Sequence, residues 1–231
     1  MLTAVVMAAG EGRRMRPLSE RWPKPLLPID GRPVLATLLR ELAAAGIARA
    51  WVVTGHLAEQ VETFAGDGSA WGLEARVVHQ PQPLGSADAV RRALEAGAEP
   101  PLLVTGADTV FARGDVARAA ACWDGEAAAG ALGVRVSQDA EKTRVRVEGG
   151  RVVELGEGGE LTGAPLWLLG EELAAALRGL PGPPFELGRA FRDAIAAGRT
   201  IAAVELGPTR DLTRPEDVVA ENFPYLWSSE R

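Results

Sequence analysis

Short apolar runs alternate with stretches of helical spacing along the first half of the chain. Leu2–Met7, Ala50–Thr54, Ala75–His79 and Leu102–Thr105 read as strands. Between them, Pro33–Ala45 has apolar residues at helical spacing and stops at Gly46, and Leu57–Phe64 reads as a short helix. Ser86–Ala96 reads as a third helix, with Ser86 as its N-cap. Regular alternation of this kind predicts parallel strands with helices on both faces.

The second half changes character. Ala127–Val136 is apolar and strand-like, and Ala164–Leu169 and Ile201–Glu205 read as further strands. Thr143–Val147 and Arg151–Leu155 flank Glu148-Gly149-Gly150, which predicts a hairpin. Helices are expected at Glu171–Arg178, Leu187–Ala197 and Pro215–Asn222. No internal repeat or low-complexity linker divides the chain. The pattern predicts one α/β domain over residues 1–231, with a mixed, mostly parallel central sheet and a small β-hairpin insertion.

Composition narrows the function. A 231-residue chain that is 47% apolar can bury a sizeable core. The formal net charge of −6 argues against a nucleic-acid partner, although a local basic cleft for a small anion is compatible with it. The one cysteine, Cys122, excludes an intramolecular disulfide framework and any multi-cysteine metal site, and reads as a small helix-face residue. With no signal-like N-terminus and no long apolar run, the expectation is a cytoplasmic protein without a membrane partner. Only two of the 25 basic residues are lysines, Lys24 and Lys142. A lysine kept against that bias hints at a task that arginine does not serve. The tryptophans read as packing residues, His56 as a structural surface residue, and His79 is given no role.

The chemistry concentrates behind the first strand, in Met7-Ala-Ala-Gly-Glu-Gly-Arg-Arg-Met-Arg-Pro17. Three readings compete: a dinucleotide fingerprint, a phosphate cradle for a nucleoside triphosphate, or a glycine-rich turn. The dinucleotide pattern requires a third glycine where this chain has Met15, and the Walker pattern of Gly-Lys-Ser/Thr is absent. What remains is a glycine-bearing loop whose backbone N–H groups can meet an anion. Arg13 and Arg14 stand beside it, and Lys24 follows between Pro23 and Pro25, which stiffen their loop.

The stretch from Ala8 to Leu35 resembles the signature of the sugar-phosphate nucleotidyltransferases, the NDP-sugar pyrophosphorylase family. The resemblance continues in Gln80-Pro-Gln-Pro-Leu-Gly85-Ser-Ala, in Thr105-Gly-Ala-Asp108 with Phe111, in Thr162-Gly163, and in Asp211-Leu-Thr-Arg-Pro-Glu-Asp217. It covers Met1 to about Asn222, and its N-terminal block is the most specific part. It is closest in kind to the short members, such as the N-acetylmuramate 1-phosphate uridylyltransferases and heptose guanylyltransferases.

The resemblance implies a Rossmann-like three-layer α/β/α nucleotidyltransferase fold. Residues 1–112 would form the nucleotide-binding half and 113–231 the sugar-phosphate-binding half. The implied reaction is transfer of NMP from an NTP to a sugar 1-phosphate, giving an NDP-sugar and pyrophosphate. The attacking phosphate oxygen is already anionic, so no general base is needed; positioning and charge neutralisation carry catalysis. By resemblance, Ala9, Gly10 and Gly12 approach the triphosphate, and Arg14 stabilises the leaving pyrophosphate. Lys24 reaches the α-phosphate and the incoming phosphate. Asp108 and Asp211 hold Mg²⁺; Asp211 also reads as a helix-flanking acid before a cap at Thr213. Gln80 and Gly85 lie against the base, Gly85 because only a bare backbone permits close approach. Glu157 and Gly163 face the sugar.

Three departures fall on the acceptor side. The family's Glu-Lys-Pro aligns Glu157 with the glutamate but puts Gly158 at the lysine. Lys142 can replace that lysine only if the hairpin folds back. Thr209 stands where a tryptophan is usual, and Arg13 where a threonine is. These changes leave the acceptor open to an amino-sugar, heptose, inositol or choline phosphate. The base and the choice between monomer and homodimer stay open. The other reading is a non-catalytic, nucleotide- or sugar-phosphate-binding regulatory paralogue.

Overall fold

Residues Thr3 to Val6 are each at most 1% exposed, although their side chains alternate between the two faces of a strand. A strand buried on both faces needs a layer against each. A computed structural model describes residues 1–123, 127–137, 139 and 142–224, and it provides both layers.

The chain begins with β1 (Thr3–Ala8), three short 3-10 turns, the ribbon β2 (Pro28–Ile29) and β3 (Arg32–Pro33), and α1 (Val34–Ala44). Next come β4 (Arg49–Thr54), α2 (Ala58–Ala65), β5 (Glu74–His79), α3 (Ser86–Glu95) and β6 (Leu102–Gly106). Then follow β7 (Thr109–Val110), α4 (Asp115–Ala121), β8 (Gly130–Arg135), β9 (Arg144–Glu148), β10 (Arg151–Gly156) and β11 (Leu161–Leu169). The chain closes with α5 (Glu171–Ala176), α6 (Leu187–Ala196), β12 (Ile201–Glu205), β13 (Arg210–Asp211) and α7 (Pro215–Asn222).

One core layer packs Ala4, Val6 and Ala8 of β1 against Leu35, Leu39 and Leu42 of α1, Val61 of α2 and Val116 of α4. The other packs Val5 against Ala87 and Val90 of α3, Leu173 of α5 and Phe191 of α6. This is the expected three-layer α/β/α arrangement. Among the described residues, α4 is the one α-helix the hydrophobic pattern did not predict. It is short, and its core-facing residues Val116 and Ala119 give little periodic signal.

The central sheet has nine strands in the order β5-β4-β1-β6-β11-β8-β12-β10-β9. It is mixed, and only β11 and β10 run against the rest. By neighbour, however, four pairings are parallel and five antiparallel, so "mostly parallel" holds for strand direction and not for pairing.

The expected hairpin is present, but it is not an appendage. β10 pairs with β12, and β9 returns to β11 through Leu161–Val145 and Thr162–Arg144. The strands β11, β8, β12, β10 and β9 therefore close on themselves. β11 begins at Leu161, earlier than the apolar run suggested, because pairing with β8 and β9 recruits Thr162 and Gly163.

Two caps differ from expectation. Ser86 is the first residue of α3, and its hydroxyl donates to Glu186 and accepts the N–H of Leu187, which ties α3 to α6. At α7 the cap acceptor is Asp217, whose carboxylate takes the N–H groups of Thr213 and Arg214. Trp51 is buried and Trp71 stacks on Phe64. Trp22 departs from the packing expectation: it is 57% exposed. Trp227 lies outside the described residues. Cys122 is exposed just past α4.

Candidate active site

β1 and β6 lie side by side and in parallel, with Met7 opposite Gly106. Both strands end at the same edge of the sheet, where α/β proteins place ligands. The Ala107 N–H donates to the Met7 carbonyl at 3.0 Å and carries Asp108 alongside the glycine loop.

Within that loop Gly12 has φ +59°, and a Cβ there would stand 3.3 Å from the Ser19 Cβ and 3.5 Å from the Lys24 Cβ. Glycine therefore serves the turn and the close approach of Ser19, while Lys24 stands at ordinary contact distance. Met15, at the position that breaks the dinucleotide pattern, is an anchor. It is 1% exposed and packs with Leu27, Ile29, Val34 and Leu212. The same turn presents Arg14 to the cleft, while Arg13 turns to solvent and pairs with Glu11. His56 braces the loop from behind, with its Nε2 2.6 Å from the Ser19 carbonyl.

Lys24 lies on a 3-10 turn between its two prolines, and its ammonium pairs with an oxygen of Asp108. Asp211 arrives from the far end of the chain. The β13–β7 pairing sets it opposite Thr109, whose hydroxyl donates to Asp211 Oδ1 at 2.7 Å. Asp211 Oδ2 accepts from Lys142 Nζ at 3.1 Å, Arg135 at 3.2 Å and the Thr209 hydroxyl at 3.3 Å. Burial alone would raise the Asp211 pKa. The hydrogen bonds from Thr109 and Lys142 and the charges of Lys142 and Arg135 outweigh it and hold the carboxyl below its ordinary value.

These groups line one cleft of about 420 Å³. Of the sequence candidates it gathers Arg14, Lys24, Asp108, Gly163 and Asp211. Its basic side chains Arg14, Lys24, Arg135, Lys142 and Arg192 outnumber the acids Asp108, Asp139 and Asp211, so an acidic protein presents a cationic pocket here.

Ala9, Gly10, Gly12, Gln80, Gly85 and Glu157 are not among the lining residues. Ala9 holds the neighbouring backbone, accepting the His56 N–H at 3.2 Å, and Gly10 is exposed with open space around it. Gln80 is 5% exposed and donates to Asp88 at 2.8 Å and to the Gly85 carbonyl at 3.2 Å, which makes it a brace. Gly85 has φ +113°, and a Cβ there would meet the Phe185 carbonyl oxygen at 2.3 Å. The glycine is required by protein backbone, whatever approaches from outside. Glu157 is exposed beyond the end of β10.

Sequence reasoning did not find Arg135 or Thr109. Arg135 is one arginine among many and stands in no motif, and Thr109 is a spacer between Asp108 and Phe111 in the motif that holds them. Lys142 is marked by the scarcity of lysine and named as a replacement for the missing acceptor-side lysine on condition that the hairpin folds back; it lines the cleft.

The fold and this cleft define a class of transferase built on an α/β sheet, and comparison with known proteins agrees. The family model described as "Nucleotidyl transferase" matches residues 3–154. The chain belongs to that nucleotidyl transferase family. It is 38% identical over 109 residues to the N-acetylmuramate alpha-1-phosphate uridylyltransferase of Neisseria meningitidis serogroup B, covering 46% of each chain. It is 32% identical over 238 residues to the bifunctional IPC transferase and DIPP synthase of Rubrobacter xylanophilus, covering 98% of this chain and 52% of that protein. The matches thus span about half the length of these curated relatives. A crystal structure of a putative glucose-1-phosphate thymidylyltransferase from Bacillus anthracis, in complex with a sucrose, superposes with a TM-score of 0.86. That match covers 100% of this chain and 97% of the other at 15% identity, and it speaks for the fold.

Proposed function

We propose that the chain transfers a nucleoside monophosphate from an NTP to a sugar 1-phosphate or related phosphorylated alcohol, releasing pyrophosphate. The observation that carries this reading is the cationic cleft in which Arg14, Lys24 and Asp108 meet the acceptor-side residues Gly163 and Asp211. Two polyanions must approach each other, and such a cleft offsets their repulsion.

An acceptor phosphate oxygen attacks the α-phosphorus. A new P–O bond forms, the α–β bridging P–O bond breaks, and its electron pair leaves with pyrophosphate. Lys24 exchanges Asp108 for the α-phosphate and steadies its charge. Arg14 stabilises the departing pyrophosphate. The glycine loop and its braces, Met15 and His56, hold these cations in place, which is the positioning part of the rate gain.

Mg²⁺ fits part of this site. Asp108 is a hard oxygen donor open to the cleft, with only Oδ2 engaged among the described residues, so a divalent cation can share it with nucleotide phosphates. Asp211 can offer Oδ1, while its Oδ2 already takes three donors. Among the described residues no group of three or more His, Cys, Asp or Glu forms a cage, so phosphate and water oxygens would complete the coordination. The bound ion would supply neutralisation of phosphate charge.

The relatives named for N-acetylmuramate 1-phosphate and for IPC transfer direct the acceptor screen to amino-sugar and polyol phosphates. The test is pyrophosphate release with five NTPs, each against such a panel, with and without Mg²⁺. One productive pair that EDTA silences and Mg²⁺ restores is expected. Nucleotide binding with no pyrophosphate from any pair would favour the regulatory paralogue.

A further inference from the structure

The acceptor side of the cleft holds a buried arginine whose hydrogen bonds are incomplete. Arg135 is 7% exposed. Its terminal nitrogens reach Asp211 at 3.2 Å and the Thr209 carbonyl at 3.5 Å, and among the described residues its Nε–H has no partner. An orphaned donor on a buried cation is costly, and because Arg135 lines the cleft, a ligand oxygen met by a small shift of the guanidinium would relieve it.

Lys142 brings a second cation to the same carboxylate oxygen. Asp211 thus faces two positive charges with one negative. Asp139, 47% exposed, stands 4.0 Å from the Lys142 ammonium. A phosphate has the charge and the spare oxygens to satisfy both cations at once: one oxygen for the compact ammonium, another for the planar guanidinium.

Position selects which phosphate. Arg135 ends β8, and Lys142 lies just before β9, on the side of the cleft that carries Gly163. Lys24 lies beyond Asp211, across the row Asp211–Thr109–Asp108. We propose that Arg135 and Lys142 bind the acceptor's phosphate, and that Asp211 serves as their counter-ion until it arrives. The arrangement rests on the nucleotidyl-transfer reading and deepens it: the cation missing at Gly158 is replaced from different strands. Asp211 is released when the phosphate takes its place.

The test separates binding from turnover. Inorganic phosphate, glucose 1-phosphate and inositol 1-phosphate are titrated calorimetrically into wild type, Lys142→Met, Lys142→Arg and Arg135→Gln. NTP-induced thermal shifts are recorded on the same samples. Loss of one charge-assisted hydrogen bond is expected to weaken the best of the three probes about tenfold or more. Lys142→Arg should recover most of that loss, and the NTP shift should stay at its wild-type value. In turnover the acceptor KM should rise while the NTP KM holds. Arg135→Gln risks misfolding because Arg135 is buried beside Asp211; Lys142→Met, at a half-buried position outside the strands, then carries the result. Wild-type affinity in Lys142→Met, or no binding of any probe to wild type, overturns the cradle. Absence of an NTP shift in wild type sinks the transfer reading instead, and the calorimetry still reports on the cradle.

Discussion

The backbone N–H of Gly163 donates to the carbonyl of Thr143 at 3.0 Å. That bond joins β11 to the residue beside Lys142. With the β9–β11 pairing it folds the hairpin back, the condition the sequence set for Lys142, and Lys142 lines the cleft. Arg144 secures the same loop by donating to the Ser137 carbonyl at 3.5 Å.

Lys24 and Asp108 neutralise each other at the cleft surface, and the Asp108 side chain is 37% exposed. Lys24→Ala and Asp108→Ala are each expected to lower kcat/KM by roughly 10²–10⁴-fold. Unfolding free energy should change by about 1 kcal/mol or less, as for other solvent-screened pairs. Steady-state kinetics and urea melts on the same preparations check both halves. Wild-type turnover in either variant would remove that residue from the mechanism.

Gly85→Ala introduces a Cβ at φ +113° and 2.3 Å from the Phe185 oxygen. Backbone strain and the forced shift of Phe185 should cost roughly 2–4 kcal/mol. Chemical denaturation measures it, and an unchanged midpoint would mean that the loop before α3 yields freely.

Gln80→Leu keeps the side chain's bulk but removes its donation to Asp88, which then depends on Arg91 and Arg92. A stability loss of about 1–3 kcal/mol is expected. Nucleotide affinity should move less. A selective collapse of NTP binding with unchanged stability would instead make Gln80 a direct reader of the base.

Glu41 on α1 has its pKa pushed up from 4.5 to about 7, mainly by burial and secondarily by Asp115. Across that window the folded chain holds a proton that the unfolded chain has released, so stability falls as pH rises from about 4.5 to about 7. Glu41→Gln should flatten this slope, matching wild type at about pH 4.5 and melting higher at about pH 8. Parallel melts for the two proteins at about pH 8 would show that Glu41 is fully solvated in the folded chain.

Much of the fold was legible because strands and helices write their own periods into neighbouring residues. The apolar run Leu102–Thr105 and the helical spacing of Pro33–Ala45 mark elements that the structure contains with boundaries moved by a residue or two. The arginine–glycine loop and the proline-flanked lysine were legible for the same reason: each is a run of consecutive residues. Helix α4 was not, since its alanines carry little amphipathic contrast.

What the sequence determined by itself was therefore local: the order of most elements, the glycine–arginine loop and the family. Tertiary structure decided the rest. Only the sheet order brings Arg135 and Lys142 to Asp211, across 76 and 69 positions of chain. Only the approach of Phe185 gives Gly85 its reason. Hydrophobic periodicity specifies which face of an element is buried. The meeting of charged groups depends on which strands become neighbours, and that is set by the packing of the whole sheet.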